Sequence, residues 1–155
     1  AQARGYTCGG IISLKTPQDD VDVLDVQTGE KRRLTVEADA NGAVIQGRFR
    51  FAPQSLAWGN DVLVRARACQ LLLIDELGPL EIERGQGWHK ASHALQRNNF
   101  ALAIVVVRPE LVAEAQLHLP ISATTVFTVT VDNREQMPDT LVEALAAKID
   151  PAQVG

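Results

Sequence analysis

Leu71-Leu72-Leu73-Ile74-Asp75-Glu76 decides the fold. Four consecutive apolar residues suit a strand covered on both faces, and the acidic pair marks where it emerges. Working downstream, Trp88 to Asn98 has helical spacing, with Trp88, Ala91 and Leu95 on one side. Ala101 to Val107 is a second apolar run, stopped by Arg108-Pro109, and Glu110 to Leu119 is a short helix stopped by Pro120. Thr125 to Val131 is a third, β-branched run. Thr140 opens the last helix with Glu143 three residues on, a capping box, and Leu141, Leu145 and Ile149 form its core stripe. Upstream, Pro53 suits a first helical turn, and Leu56, Leu63 and Ala66 give a helical face that Gly59 weakens. From residue 53 the order is helix, strand, helix, strand, helix, strand, helix. That alternation predicts an α/β fold, a parallel sheet with helices on both faces. In such sheets ligands lie beyond the carboxyl ends of the strands. The residues to weigh are therefore Asp75, Glu76, Arg108 and the Asp132-Asn133-Arg134 group.

The first third differs. Val21 and Val23 alternate with Asp20 and Asp22, and the pattern resumes at Lys31 after the turn Gln27-Thr28-Gly29-Glu30. Asn41-Gly42 is another turn, and Phe49 and Phe51 stand one strand period apart. Antiparallel β structure is expected up to about residue 51.

Composition narrows the function. A chain of 155 residues suits one domain, and 46% hydrophobic with 22% charged residues excludes disorder. A formal charge of −4 and 5% aromatic residues argue against a nucleic-acid surface. The apolar runs are too short to cross a bilayer, and no signal peptide is visible, so a cytoplasmic protein with no membrane partner is expected. Cys8 and Cys69 form no CxxC pair, and neither has a histidine beside it. His89 and His93 have helical ligand spacing, but Lys90 replaces the glutamate of HExxH and no third ligand is evident, so two exposed histidines is the better reading.

Apolar residues ending in Asp75-Glu76 have the form of a Walker B segment. A rigid strand tip lets Asp75 hold Mg²⁺, usually through water, while Glu76 takes a proton from an attacking water. An acidic pair that merely ends a strand is the competing reading. The residues that follow, Leu77-Gly78-Pro79-Leu80-Glu81, extend the pattern. The string Asp-Glu-Leu-Gly-Pro-Leu-Glu resembles the small bacterial and archaeal nucleoside-triphosphatases of the P-loop class. Gly9-Gly10-Ile11-Ile12, the hairpin ending Asp25 to Glu30, Phe49 to Ala52 with Leu56 to Asn60, and Val131-Asp132-Asn133-Arg134 agree with that family in order.

The resemblance implies a three-layer, Rossmann-like P-loop fold with a β insertion at residues 15–51. It implies hydrolysis of a nucleoside triphosphate with Mg²⁺ as cofactor. Asp75 is then the metal residue and Glu76 the base, and Arg108 stands where related enzymes place a polar sensor of the γ-phosphate, able to stabilise transition-state charge, with a solvated arginine before Pro109 as the alternative. Asn133 and Arg134 correspond to a base or ribose contact, and a plain turn is the alternative. Glu81 either orients the acidic loop or caps the helix region of Trp88. Lys15, Arg48 and Arg50 reach toward phosphates or form a solvated face. One departure is severe. GxxxxGK[ST], the phosphate-binding loop, is absent: Gly5 and Gly10 are followed by Ile11-Ile12, Gly42 and Gly47 by Arg48-Phe49. The expectation is that residues 1–155 are the last four-fifths of a longer domain whose first strand and loop precede Ala1, and that this stretch alone is inactive. The alternatives are a nucleotide-sensing or protein-interaction module that has lost the loop, and a plain α/β domain. Base preference and oligomeric state stay open.

Overall fold

The computed structural model describes residues 1–37, 41–120 and 124–149. Seven strands and five α-helices follow in chain order. They are β1 (Cys8–Lys15), β2 (Val21–Asp25), β3 (Lys31–Arg33), β4 (Val44–Gln46), β5 (Phe49–Phe51), α1 (Pro53–Arg65), β6 (Leu71–Leu77), α2 (Pro79–Ile82), α3 (Ala91–Gln96), β7 (Leu102–Val107), α4 (Val112–His118) and α5 (Met137–Ile149). Short 3₁₀ turns occupy Gln2–Arg4 and Pro109–Leu111.

The main sheet has the order β3-β2-β1-β6-β7. β1, β6 and β7 run parallel, and β2 and β3 extend the sheet as antiparallel strands. The side chains of β6 alternate between two cores. Leu72 and Ile74 join Ile11, Val23, Leu63 and Leu95 on the α1–α3 face, while Leu71 and Leu73 join Cys8, Leu145 and Ile149 on the α5 face. A strand covered on both sides explains why this run carries no polar residue until Asp75. The fold is therefore the α/β arrangement that the alternation predicts. β4 and β5 form a separate two-stranded ribbon bridged to Thr35; with the antiparallel strands β2 and β3 it occupies the span 15–51 expected for the β insertion, of which residues 38–40 lie outside the described ones.

Two tight approaches hold the frame. Gly10 has φ +104°, and a Cβ there would lie 1.9 Å from the Leu73 carbonyl oxygen of the neighbouring strand. Gly59, the weak point of the α1 pattern, is where the Trp88 ring rests: a Cβ would sit 2.4 Å from it. Glycine's low helix propensity is here offset by packing.

Three expectations fail. Thr125 to Val131 forms no strand: its backbone is irregular and Val126 and Phe127 are 51% and 45% exposed. β-branched composition favours a strand only where a ladder partner exists, and this segment pairs with none of the described strands. α5 begins at Met137, so Thr140 lies inside it and its hydroxyl donates to the Gln136 carbonyl rather than capping the helix. Trp88 to Asn98 is helical only over Ala91–Gln96, because the chain around Trp88 is held by loop contacts.

Candidate active site

Three parallel strands end side by side and deliver polar groups to one place. Ser13 and Lys15 come from the end of β1, Asp75 and Glu76 from the end of β6, and Arg108 from just past β7. They line a cavity of about 470 Å³ whose opposite wall is the β4–β5 ribbon. The β6–β7 register shifts between Ile74 and Leu77, an irregularity that spans both acids. Such shifts re-aim side chains that a regular pleat would send to opposite faces.

Asp75 is gripped from β1. The Ser13 amide donates to its Oδ2 at 3.3 Å, and the Ser13 hydroxyl donates to its main-chain carbonyl at 2.8 Å. Burial pushes the Asp75 carboxyl above its usual range; the Ser13 amide partly offsets this, and the neighbouring Glu76 adds to it. A buried carboxylate that gains stability from added positive charge is a reasonable cation ligand. Among the described residues its Oδ1 has no hydrogen-bond partner, and Asp75 lines the cavity. That fits Mg²⁺, which takes one or two protein carboxylates and fills its remaining positions with water and phosphate.

Glu76 accepts from Arg108 Nε at 3.1 Å through Oε1. Both side chains are 43% exposed, so the pair positions more than it stabilises, at roughly 0.2–1 kcal/mol. Its Oε2 and the Arg108 terminal nitrogens carry no partner among the described residues.

Glu81 clamps the loop that follows. Its Oε2 accepts the Gly78 amide and its Oε1 the Trp88 amide, each at 2.8 Å. The carboxylate thus closes an eleven-residue loop and fixes the turn after the acidic pair. Gly87 leaves room for it, since a Cβ there would overlap Glu81 Oε1.

The other expected residues fare differently. Lys15 lines the cavity but is paired with Asp19 at 2.8 Å, and Arg48 shares that aspartate at 2.7 Å. Asn133 and Arg134 are not among the cavity residues. The Asn133 side chain closes its own turn, accepting from the Thr130 amide and donating to the Thr128 carbonyl, and Arg134 pairs with Glu135. Cys8 and Cys69 are buried thiols whose burial raises their pKa, the opposite of nucleophile activation.

Sequence reasoning missed Ser13, Gln46 and Asn60 as site-shaping residues. Asn60 is buried; its amide donates to the Leu56 and Gly87 carbonyls, and its oxygen accepts the Lys90 amide, tying α1 to the loop behind the cavity. A polar residue amid an apolar helical face was the available signal for it.

With this geometry in view, comparison with known proteins is informative. The model of a family described as NTPase matches residues 1–142. The chain belongs to the NTPase family. Among solved structures it is similar to THEP1 from the hyperthermophile Aquifex aeolicus, with a TM-score of 0.63 and 14% identity over 93% of this chain and 87% of that one. At that identity the likeness concerns the fold, which is that of a P-loop NTPase. No curated protein matches the chain. No described helix is long and apolar enough to cross a membrane.

Proposed function

We propose that this NTPase-family chain carries the hydrolytic half of a Mg²⁺-dependent nucleoside-triphosphatase site, cleaving a nucleoside triphosphate to the diphosphate and phosphate. The supporting observation is the meeting of Asp75, Glu76 and Arg108 at the ends of adjacent parallel strands. Glu76 is the base: Arg108 holds one carboxylate oxygen, leaving the other to accept the proton of the attacking water. Arg108 keeps free N–H groups to face charge developing on the γ-phosphoryl group. Asp75, fixed by Ser13, is the residue to hold Mg²⁺, which when bound would neutralise phosphate charge. Glu81, which also lines the cavity, positions the loop through the Gly78 and Trp88 amides. Arg108→Ala should lower phosphate release about a hundredfold at saturating Mg²⁺–nucleotide, by analogy with loss of an oxyanion-stabilising donor; an unchanged rate would remove Arg108 from the chemistry.

The phosphate-binding loop is placed, in this proposal, upstream of Ala1, with its strand adding to the free edge of β7. Residues 1–155 alone should then release little phosphate. The second reading, a nucleotide-sensing or interaction module, rests on the absence of GxxxxGK[ST] from this stretch. Saturable Mg²⁺–nucleotide binding without turnover in the longest natural chain would favour it.

A further inference from the structure

Lys15 and Arg108 are the two cationic side chains that line the cavity among the described residues, and they are held differently. Arg108 is bonded to Glu76 within the site, whereas Lys15 is paired with Asp19, which does not line the cavity. Lys15 stands two residues beyond Ser13 on β1, so both project to the side of the sheet that the cavity occupies. Asp19 lies in the turn between β1 and β2, where its amide donates to the Thr16 carbonyl at 3.0 Å. Its two carboxylate oxygens hold different cations: Oδ1 takes Lys15 Nζ at 2.8 Å, and Oδ2 takes Arg48 Nη2 at 2.7 Å. All three side chains are more than half exposed, so each pair is weak and screened by salt. Arg48 is also anchored on its own ribbon, with its guanidinium 4.9 Å from the centroid of the Phe49 ring. Lys15, on a flexible four-carbon stem, can therefore leave Asp19 without stranding the carboxylate, because Arg48 remains on the other oxygen. A polyphosphate chain beside Glu76 carries several negative charges, where Asp19 carries a single charge already shared with Arg48. The contest for Lys15 favours the phosphates.

We propose that Lys15 changes partner when a polyphosphate chain occupies the cavity: it leaves Asp19 to Arg48 and contacts the phosphate oxygens, and Asp19 is the group that holds it in reserve while the cavity is empty. The choice of a polyphosphate rests on the nucleotide chemistry proposed above. Lys15 is then a binding residue, and Asp19 acts on substrate only through it.

The test is calorimetric titration of the longest natural chain with Mg²⁺–tripolyphosphate and with Mg²⁺–ATP, at low and at high salt. Lys15→Met, which keeps the stem and removes the charge, should weaken both about tenfold at low salt, and less at high salt. Lys15→Arg should restore most of the loss, which a merely structural role would not explain. Asp19→Asn should tighten binding several-fold, because Lys15 no longer has to be released. In the Lys15→Met background the same Asp19→Asn change should do nothing, since the two residues act as one unit. Equal affinities for wild type and Lys15→Met would overturn the role of Lys15. Unchanged or weaker binding in Asp19→Asn would overturn the reserve role of Asp19, and tightening that persists without Lys15 would pass the response to Arg48 and overturn the partner change. Phosphate release is scored separately. Lys15-dependent binding of tripolyphosphate without Glu76-dependent turnover removes the hydrolysis and keeps the partner change, Glu76-dependent turnover with Lys15-independent binding removes the partner change alone, and no saturable binding of either probe removes both.

Discussion

Glu81 illustrates how one side chain can organise the wall of a cavity. Its two oxygens take the Gly78 and Trp88 amides, both of which are buried residues. Glu81→Ala should cost about 2–4 kcal/mol in urea unfolding, because two amides lose their acceptor. Burial, more than any other cause, pushes this carboxyl above its ordinary value of 4.5; the two amides pull the other way, and the Glu76 charge adds to the rise. The folded state therefore holds the proton more tightly than the unfolded chain. The resulting stabilisation is complete below the unfolded value and is lost as pH rises through the raised folded one. The stability of the wild type relative to Glu81→Gln should thus fall as pH rises above the unfolded value of 4.5, by at most about 1.4 kcal/mol per pH unit for one proton. A flat or rising difference would show that the carboxyl is not raised. The sequence leaves two roles open for Glu81, since its bond to Trp88 depends on Gly85 and Gly87 adopting φ of +61° and +57°. Glycine permits that turn without announcing it. Asp75, Glu76 and Arg108, by contrast, are legible beforehand, because each stands at the end of an apolar run and parallel strands bring such ends together.

At the scale of elements, α1 and the β7 edge teach different lessons. Gly59 reads as a defect in a helical pattern until Trp88, from beyond β6, is seen lying on it. Gly59→Ala gains about 1 kcal/mol of helix propensity but pushes a methyl into a rigid indole, so a net loss of about 1–2 kcal/mol is expected by thermal unfolding. A stabilised variant would show that the ring is free to move. Periodicity located α1, β6 and β7 because their burial is set by contacts within the described sheet and helices. It misassigned Thr125 to Val131, whose strand character would require a ladder neighbour. Ser13 and Gln46 escaped for a related reason: each acts across strands distant in sequence, on Asp75 and beside Gly78 respectively.

For the whole molecule, the sheet ends at β7, an apolar strand whose outer ladder edge is unpaired among the described strands, with Val106 42% exposed. An exposed apolar edge is a template for another strand. If the upstream strand adds there, amides along β7 should exchange with deuterium at least tenfold more slowly in a chain lengthened toward its N-terminus than in residues 1–155. Equal exchange would place the additional segment elsewhere. The central claim concerns Glu76, and it is tested most directly by phosphate release from Mg²⁺–ATP in the longest natural chain, compared between wild type and Glu76→Gln. The substitution keeps the size of the side chain and removes its ability to accept a proton as a carboxylate. Loss of a general base predicts a fall in turnover of about 10²–10⁴-fold with nucleotide binding retained. Unchanged turnover would contradict the role of Glu76 as the base.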